Sequence, residues 1–117
     1  MNHFHFPSAR VEETSFFYER YFEFKRKRVL GKTHILSDRK GFLLAMDAAE
    51  TGACLPEKMH LGFQLPTPAS VTRLFEEMSS DRVQDLTPLQ QPSPRAIHFY
   101  CADPSGNRIE VGWYEIS

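Results

Sequence analysis

Four of the five histidines, His3, His5, His60 and His98, fall at alternate positions of short apolar stretches. Side chains alternate across a strand, so each histidine lies opposite its apolar neighbours. His60 shares its side with Gly62 and Gln64, against Met59, Leu61, Phe63 and Leu65. Arg108, Glu110, Gly112 and Tyr114 oppose Ile109, Val111 and Trp113; His98 and Tyr100 oppose Ile97, Phe99 and Cys101; His3 and His5 oppose Phe4 and Phe6. A sheet face that only meets water is built from Lys, Glu, Thr and Ser. This one collects imidazoles, a carboxylate, a phenol and a guanidinium. A single histidine there reads as an exposed or hydrogen-bonded residue, whereas the set reads as a concave polar cup. Two imidazoles with one carboxylate suit a divalent metal, and three protein ligands leave open positions for substrate, which is the catalytic pattern.

The elements that must carry these residues repeat. His3 precedes Phe17-Tyr18-Glu19 by the same spacing that separates His60 from Leu74-Phe75-Glu76, an offset of 57 between the halves. Asp38-Arg-Lys-Gly41 and Asp103-Pro-Ser-Gly106 match at an offset of 65. Two modules, about 1–50 and 57–117, follow, each reading as strand, helix, then strands. In the first, a strand over 3–6 ends at Pro7, Ser8 caps a helix over about 11–21, and strands follow over 24–29, 33–36 and 42–46. Asp47 to Pro56, small, acidic and ending in proline, reads as a linker. In the second, a strand over 58–65 precedes a helix opened by Thr67-Pro68, with Val71, Leu74, Phe75 and Met78 as its core stripe. Pro88, Pro92 and Pro94 with Gln90-Gln91 read as a loop, and strands over 97–101 and 108–114 close the chain.

The composition bounds the partners. With 117 residues the chain fits one domain, and 41% hydrophobic residues supply a core. Fourteen basic against fifteen acidic residues give a net charge of -1, which makes no electrostatic case for nucleic acid. No apolar run has the length of a membrane span, and the opening MNHFHFPSAR lacks a signal peptide's apolar stretch, so no membrane partner and a cytoplasmic location are expected. Two cysteines, Cys54 and Cys101, form no disulfide framework. The one basic run, Lys25-Arg-Lys-Arg28, reads as a solvated edge strand. Strict alternation would put Arg26 and Arg28 on one face, where they would suit an anionic substrate.

Strand-borne His3 with Phe17-Tyr18, His60 opening a second such unit, and Asp103-Pro-Ser-Gly-Asn-Arg-Ile-Glu110 together resemble the vicinal oxygen chelate superfamily. That group includes glyoxalase I, fosfomycin- and bleomycin-resistance proteins, and extradiol dioxygenases. The resemblance covers the whole chain. It implies an α+β fold of two βαβββ modules whose curved mixed sheet forms a cup, with helices on the outer face. It implies a divalent metal (Fe, Zn, Ni or Mn) held by His3, His60 and Glu110, a small-molecule substrate bound through two adjacent oxygens, and a homodimer. Tyr100 and His98 would then act on the substrate, and Arg108, Gln64 and His5 would contact it. Glyoxalase I supplies a further carboxylate from the first module, and the repeat places Ala45 there, with Asp47, two residues on, as the candidate base. The alternative is a non-catalytic protein that sequesters a small molecule, as bleomycin-resistance proteins do.

Overall fold

The computed structural model describes residues 1–50 and 54–115. The chain divides into two compact units, Met1–Leu55 with Pro104–Gly106, and Pro56–Asp103 with the residues from Asn107 onward.

The first unit runs β1 (His3–Ser8), α1 (Val11–Phe22), β2 (Lys25–Leu30), β3 (Thr33–Ser37) and β4 (Leu43–Ala48), with sheet order β1-β4-β3-β2. β1 lies parallel to β4, and the other neighbours are antiparallel. Pro7 stands inside β1, an edge strand where a missing N–H is tolerated. The strand therefore outruns the expected stop at Pro7 and takes in Ser8. Ser8 caps no helix: its Oγ accepts the Arg10 N–H, and the N-cap is Arg10, which makes no side-chain capping bond. α1 buries Val11, Thr14, Ser15, Phe17 and Tyr18 toward β2, β3 and β4. Phe6, Phe24, Leu36, Leu44 and Met46 complete this core. Each fully buried side chain of this size contributes about 1.5–3 kcal/mol relative to exposure.

The second unit runs β5 (His60–Gln64), α2 (Pro68–Ser80), β6 (Gln90–Ser93), β7 (Ala96–Ala102) and β8 (Arg108–Tyr114), with sheet order β5-β8-β7-β6. Thr67 caps α2 as expected, in a capping box with Ser70, and Pro68 opens the helix. Val71 and Met78 are fully buried, and α2 packs on β7 and β8 over Ile97, Phe99, Ile109 and Val111.

Three further expectations need correction. The segment read as a Pro-rich loop contains β6, a fully exposed edge strand whose ladder to β7 is irregular. Asp47, assigned to the linker, belongs to β4; linker residues 51–53 lie outside the described residues. Most important, the curved single sheet forming a cup is not what forms. The strands make two separate four-stranded sheets, neither closed nor strongly curled. The crossover pairs each module's first strand with that module's own last strand, so β1 and β5 each finish as an edge, and no ladder joins the sheets among the described residues.

The repeat is written into the ladders. His3 pairs with Leu43 in β4, and their counterparts at offsets 57 and 65, His60 and Arg108, pair in the same way. Ala45 lies between His5 and Ile35, as Glu110 lies between Gly62 and Tyr100.

Candidate active site

In the second unit α2 covers one face of the sheet, and the other carries the polar side chains. The burial alternates accordingly: Ile109 and Val111 are buried, while Arg108 is exposed and Glu110 half-buried. On that face β5 presents His60 and Gln64, β8 presents Arg108, Glu110, Gly112 and Tyr114, and β7 presents His98 and Tyr100.

His60 and Glu110 meet, Nε2 to Oε1 at 2.8 Å. The second Glu110 oxygen accepts the Tyr114 hydroxyl. Burial and then this hydrogen bond push the Tyr114 phenol well above its usual range. Tyr114 reaches Glu110, four residues back on the same strand, by lying over Gly112. A Cβ there would stand 2.8 Å from Tyr114 Cε2 and 3.1 Å from His98 Cβ. Glycine at 112 is thus the space in which the tyrosine ring lies. The expected site set did not include Tyr114. Its signal was the Glu-x-Gly-x-Tyr spacing, in which every second residue shares a face and the middle one has no side chain.

Tyr100 stands edge-on to His60 and to His98, at centroid distances of 5.8 and 5.6 Å. The Arg108 guanidinium lies 4.2 Å from the Tyr100 ring centre, a cation–π contact that fixes its plane. His98 Nε2 lies 3.2 Å from Gln90 Oε1. An amide oxygen only accepts, so Nε2 is the donor in that contact, while Nδ1 is buried without a hydrogen-bond partner among the described residues. Gln64 donates to the Tyr114 carbonyl at 3.3 Å.

The first unit holds the other expected residues. His3 is exposed, and its Nδ1 lies 2.6 Å from Asn2 Oδ1. His5 Nε2 meets Asp47 Oδ2 at 2.9 Å, and Thr33 donates to the other Asp47 oxygen at 2.5 Å. Those hydrogen bonds, Thr33's first and then His5's, hold the Asp47 carboxyl below its usual range. Arg26 and Arg28 do not share a face. A bulge falls between them, so Arg26 pairs with Leu36 and Arg28 with Ile35, adjacent residues that point oppositely.

Imidazole nitrogen beside carboxylate oxygen is a donor pair that suits a divalent cation, and His60 with Glu110 fits it in part. Among the described residues no group of three or more His, Cys, Asp or Glu side chains is gathered as a metal would need. Within the second unit the structure brings together His60 and Glu110, two of the three expected ligands; His3 belongs to the first unit.

Solved structures with this fold include a possible glyoxalase from Bacillus cereus, 24% identical, with a TM-score of 0.79 over 95% of this chain and 96% of that one. A lactoylglutathione lyase from Agrobacterium tumefaciens is 16% identical, with a TM-score of 0.75 over 97% and 92%. A variant of the fosfomycin resistance protein FosX from Listeria monocytogenes, complexed with Mn(II) and 1S,2S-dihydroxypropylphosphonic acid, is 15% identical, with a TM-score of 0.81 over 99% and 90%. No curated protein sequence matches. The family model for the Glyoxalase/Bleomycin resistance protein/Dioxygenase superfamily matches residues 1–111. A match over nearly the whole chain, joined to the duplicated module and its strand register, means that the protein belongs to that superfamily.

Proposed function

We propose that the protein is an enzyme acting on a small molecule through two adjacent substrate oxygens, with a divalent metal held by His60, Glu110 and, as third ligand, His3. The observation that carries this reading is the 2.8 Å approach of His60 Nε2 to Glu110 Oε1 on the polar face of the second sheet. Tyr114 supports it by occupying the far carboxylate oxygen and leaving the near one for a cation. The ion, whether Fe, Zn, Ni or Mn, would supply Lewis acidity toward the substrate oxygens. The similarity to a lactoylglutathione lyase, and to a resistance protein complexed with Mn(II) and a dihydroxyphosphonate, supports lyase or isomerase chemistry on a small polar substrate.

The chain's own residues then divide the remaining work. Arg108, held flat against Tyr100, offers its guanidinium fork to a carboxylate, phosphonate or carbonyl oxygen. Tyr100 and His98, ring against ring on β7, are the groups assigned to exchange protons with substrate. Gln64 and His5 are substrate contacts. Asp47, with both oxygens engaged, serves as the carboxylate that orients His5. The same reading includes a C2 homodimer in the cytoplasm, where two free thiols would stay reduced.

The test is elemental analysis of tag-free protein, alone and after loading with Mn, Fe, Ni or Zn. About one ion per chain is expected. His60→Ala and Glu110→Ala should lose it while circular dichroism stays unchanged. Protein that neither carries nor takes up any of these ions would overturn the reading, and retention of a full complement by either variant would overturn the ligand assignment.

A further inference from the structure

β2 carries two arginines, and the register of the first sheet sends them to opposite faces. Arg26 lies opposite Leu36 and donates to Glu12 and Glu19 of α1, at 2.5 and 2.8 Å, so it belongs to the face that the helix covers. Regular alternation would carry Arg28 to that same face. The ladder instead skips Lys27, the extra residue of a bulge, and sets Arg28 opposite Ile35. Ile35 lies opposite Ala45, and Ala45 opposite His5. Arg28, Ile35, Ala45 and His5 therefore form one row across all four strands, on the face turned away from α1. From that row we propose a binding site for an organic monoanion with an apolar body and a hydroxyl at its far end.

Each position along the row sets one requirement. Arg28 is exposed, and no ion pair engages it among the described residues. Its planar fork suits the two oxygens of a carboxylate. Next comes half-buried Ile35 and then Ala45, the shortest side chain of the row, so the row is apolar and low between its polar ends. Leu30 stands in the adjoining row with Thr33 and Asp47; it is 54% exposed and flanks the apolar stretch. At the far end His5 Nε2 donates to Asp47 at 2.9 Å. In the neutral ring Nδ1 is then an acceptor, which calls for a hydroxyl and not a second carboxylate. Thr33 holds the other Asp47 oxygen, so the orientation of the imidazole is set before a ligand arrives.

These requirements narrow the ligand. Three inter-strand steps separate the backbones of Arg28 and His5, about 14 Å. The end side chains take up part of that span, which leaves room for a chain of roughly eight carbons. A bare inorganic anion would meet Arg28 alone, and an unsubstituted fatty acid would leave Nδ1 without a donor. A dianion would carry its second charge toward the Asp47 carboxylate. The site lies within the first unit and needs neither the metal nor His60 and Glu110. Of the residues in the proposed function it uses only His5 and Asp47, in the contact and orienting roles already given to them.

The probes are 8-hydroxyoctanoate, octanoate and acetate, titrated into the 15N-labelled full chain in about 0.15 M chloride, which screens loose surface attraction. Amide shifts should saturate at His5, Ala45 and residues 28–35. 8-Hydroxyoctanoate should bind several-fold more tightly than octanoate, although it is the less hydrophobic of the two, and tenfold or more tightly than acetate. Arg28→Ser should weaken both longer acids tenfold or more. Lys40→Ser, which removes the same charge from the turn before β4, should change neither by more than twofold. His5→Phe should erase the preference for the hydroxyl while octanoate still binds. His60→Ala should leave all three titrations unchanged whether or not the protein takes up a metal, so failure of the metal reading and failure of this one are told apart. Octanoate binding as tightly as the hydroxy acid, equal losses in Lys40→Ser and Arg28→Ser, or a hydroxyl preference that survives His5→Phe would each overturn the proposal. So would the same amide shifts on raising the protein concentration alone, which would give the face to a second copy of the chain.

Discussion

Glu110 is the residue on which the polar face turns, and Tyr114 with Gly112 decides how it is presented. Because burial and the Glu110 bond favour the neutral phenol, the folded-state pKa of Tyr114 lies above its unfolded value near 10. Its contribution to stability is therefore complete below pH 10 and is lost as pH rises through the folded value. Tyr114→Phe should cost about 0.5–1.5 kcal/mol at neutral pH, with the gap to the native protein narrowing above pH 10. Phenolate absorbance of the two proteins, compared while circular dichroism shows both folded, should differ by one late-ionising tyrosine. Gly112→Ala drives a methyl into the Tyr114 ring and should cost about 1–3 kcal/mol. In a Tyr114→Ser background most of that cost should vanish, because only His98 Cβ remains close; an undiminished cost in chemical denaturation would show that the ring is not the obstacle. Which side chains share the polar face was legible from alternation alone. Which of them touch was not, because a contact such as His60–Glu110 depends on register between β5 and β8, and the path of Tyr114 on a rotamer that period-two reasoning does not contain.

At the scale of the elements, the two helices differ in how their ends are closed. α2 has a full capping box, and Thr67→Ala should cost about 1 kcal/mol, read as a lower denaturant midpoint at constant m-value. α1 ends on Glu23 in the left-handed conformation, φ +60, where a side chain is strained and glycine is not. Glu23→Gly should stabilise by about 0.4–1 kcal/mol, since its exposed bridge to Arg39 contributes little. A loss of stability would show that the turn relies on that ion pair. Thr67-Pro68 announced its helix because the capping chemistry is local. β6 was hidden for the opposite reason. Gln90–Ser93 has a proline in it and no buried side chain, and only its position at the edge beside β7 makes it a strand. The bulge at Lys27 was hidden likewise: an extra residue shows in the partner strand's register, not in the basic run itself.

Across the whole molecule, the duplication explains the turn that carries the most specific stretch of sequence. Asp38 accepts the Lys40 and Phe42 amides, and Asp103, its counterpart at offset 65, accepts the amide and side chain of Asn107. Each aspartate amide in turn donates to the residue four ahead, Asp38 to Phe42 and Asp103 to Asn107. These clasps were visible as a repeated Asp-x-x-Gly, but their consequence was not. Between Asp103 and Asn107 the chain leaves the second unit, gives three residues to the first and returns. Ser105, at the middle of that excursion, meets Ser8 Oγ at 2.5 Å and Thr14 Oγ1 at 2.7 Å, two hydroxyls that are completely buried. Ser8 and Thr14 reach one another only at 3.5 Å, so without Ser105 the pair is poorly satisfied. Ser105→Ala should therefore cost about 1–3 kcal/mol, the usual penalty for stranding buried polar groups. The loss should be felt in β1 and α1, about ninety residues earlier in the chain, rather than beside the substitution. Amide exchange is the deciding measurement: faster exchange in residues 11–18 with β8 unchanged is expected, whereas loosening confined to residues 103–107 would show that the turn is held by its own clasp and lends nothing to the first unit.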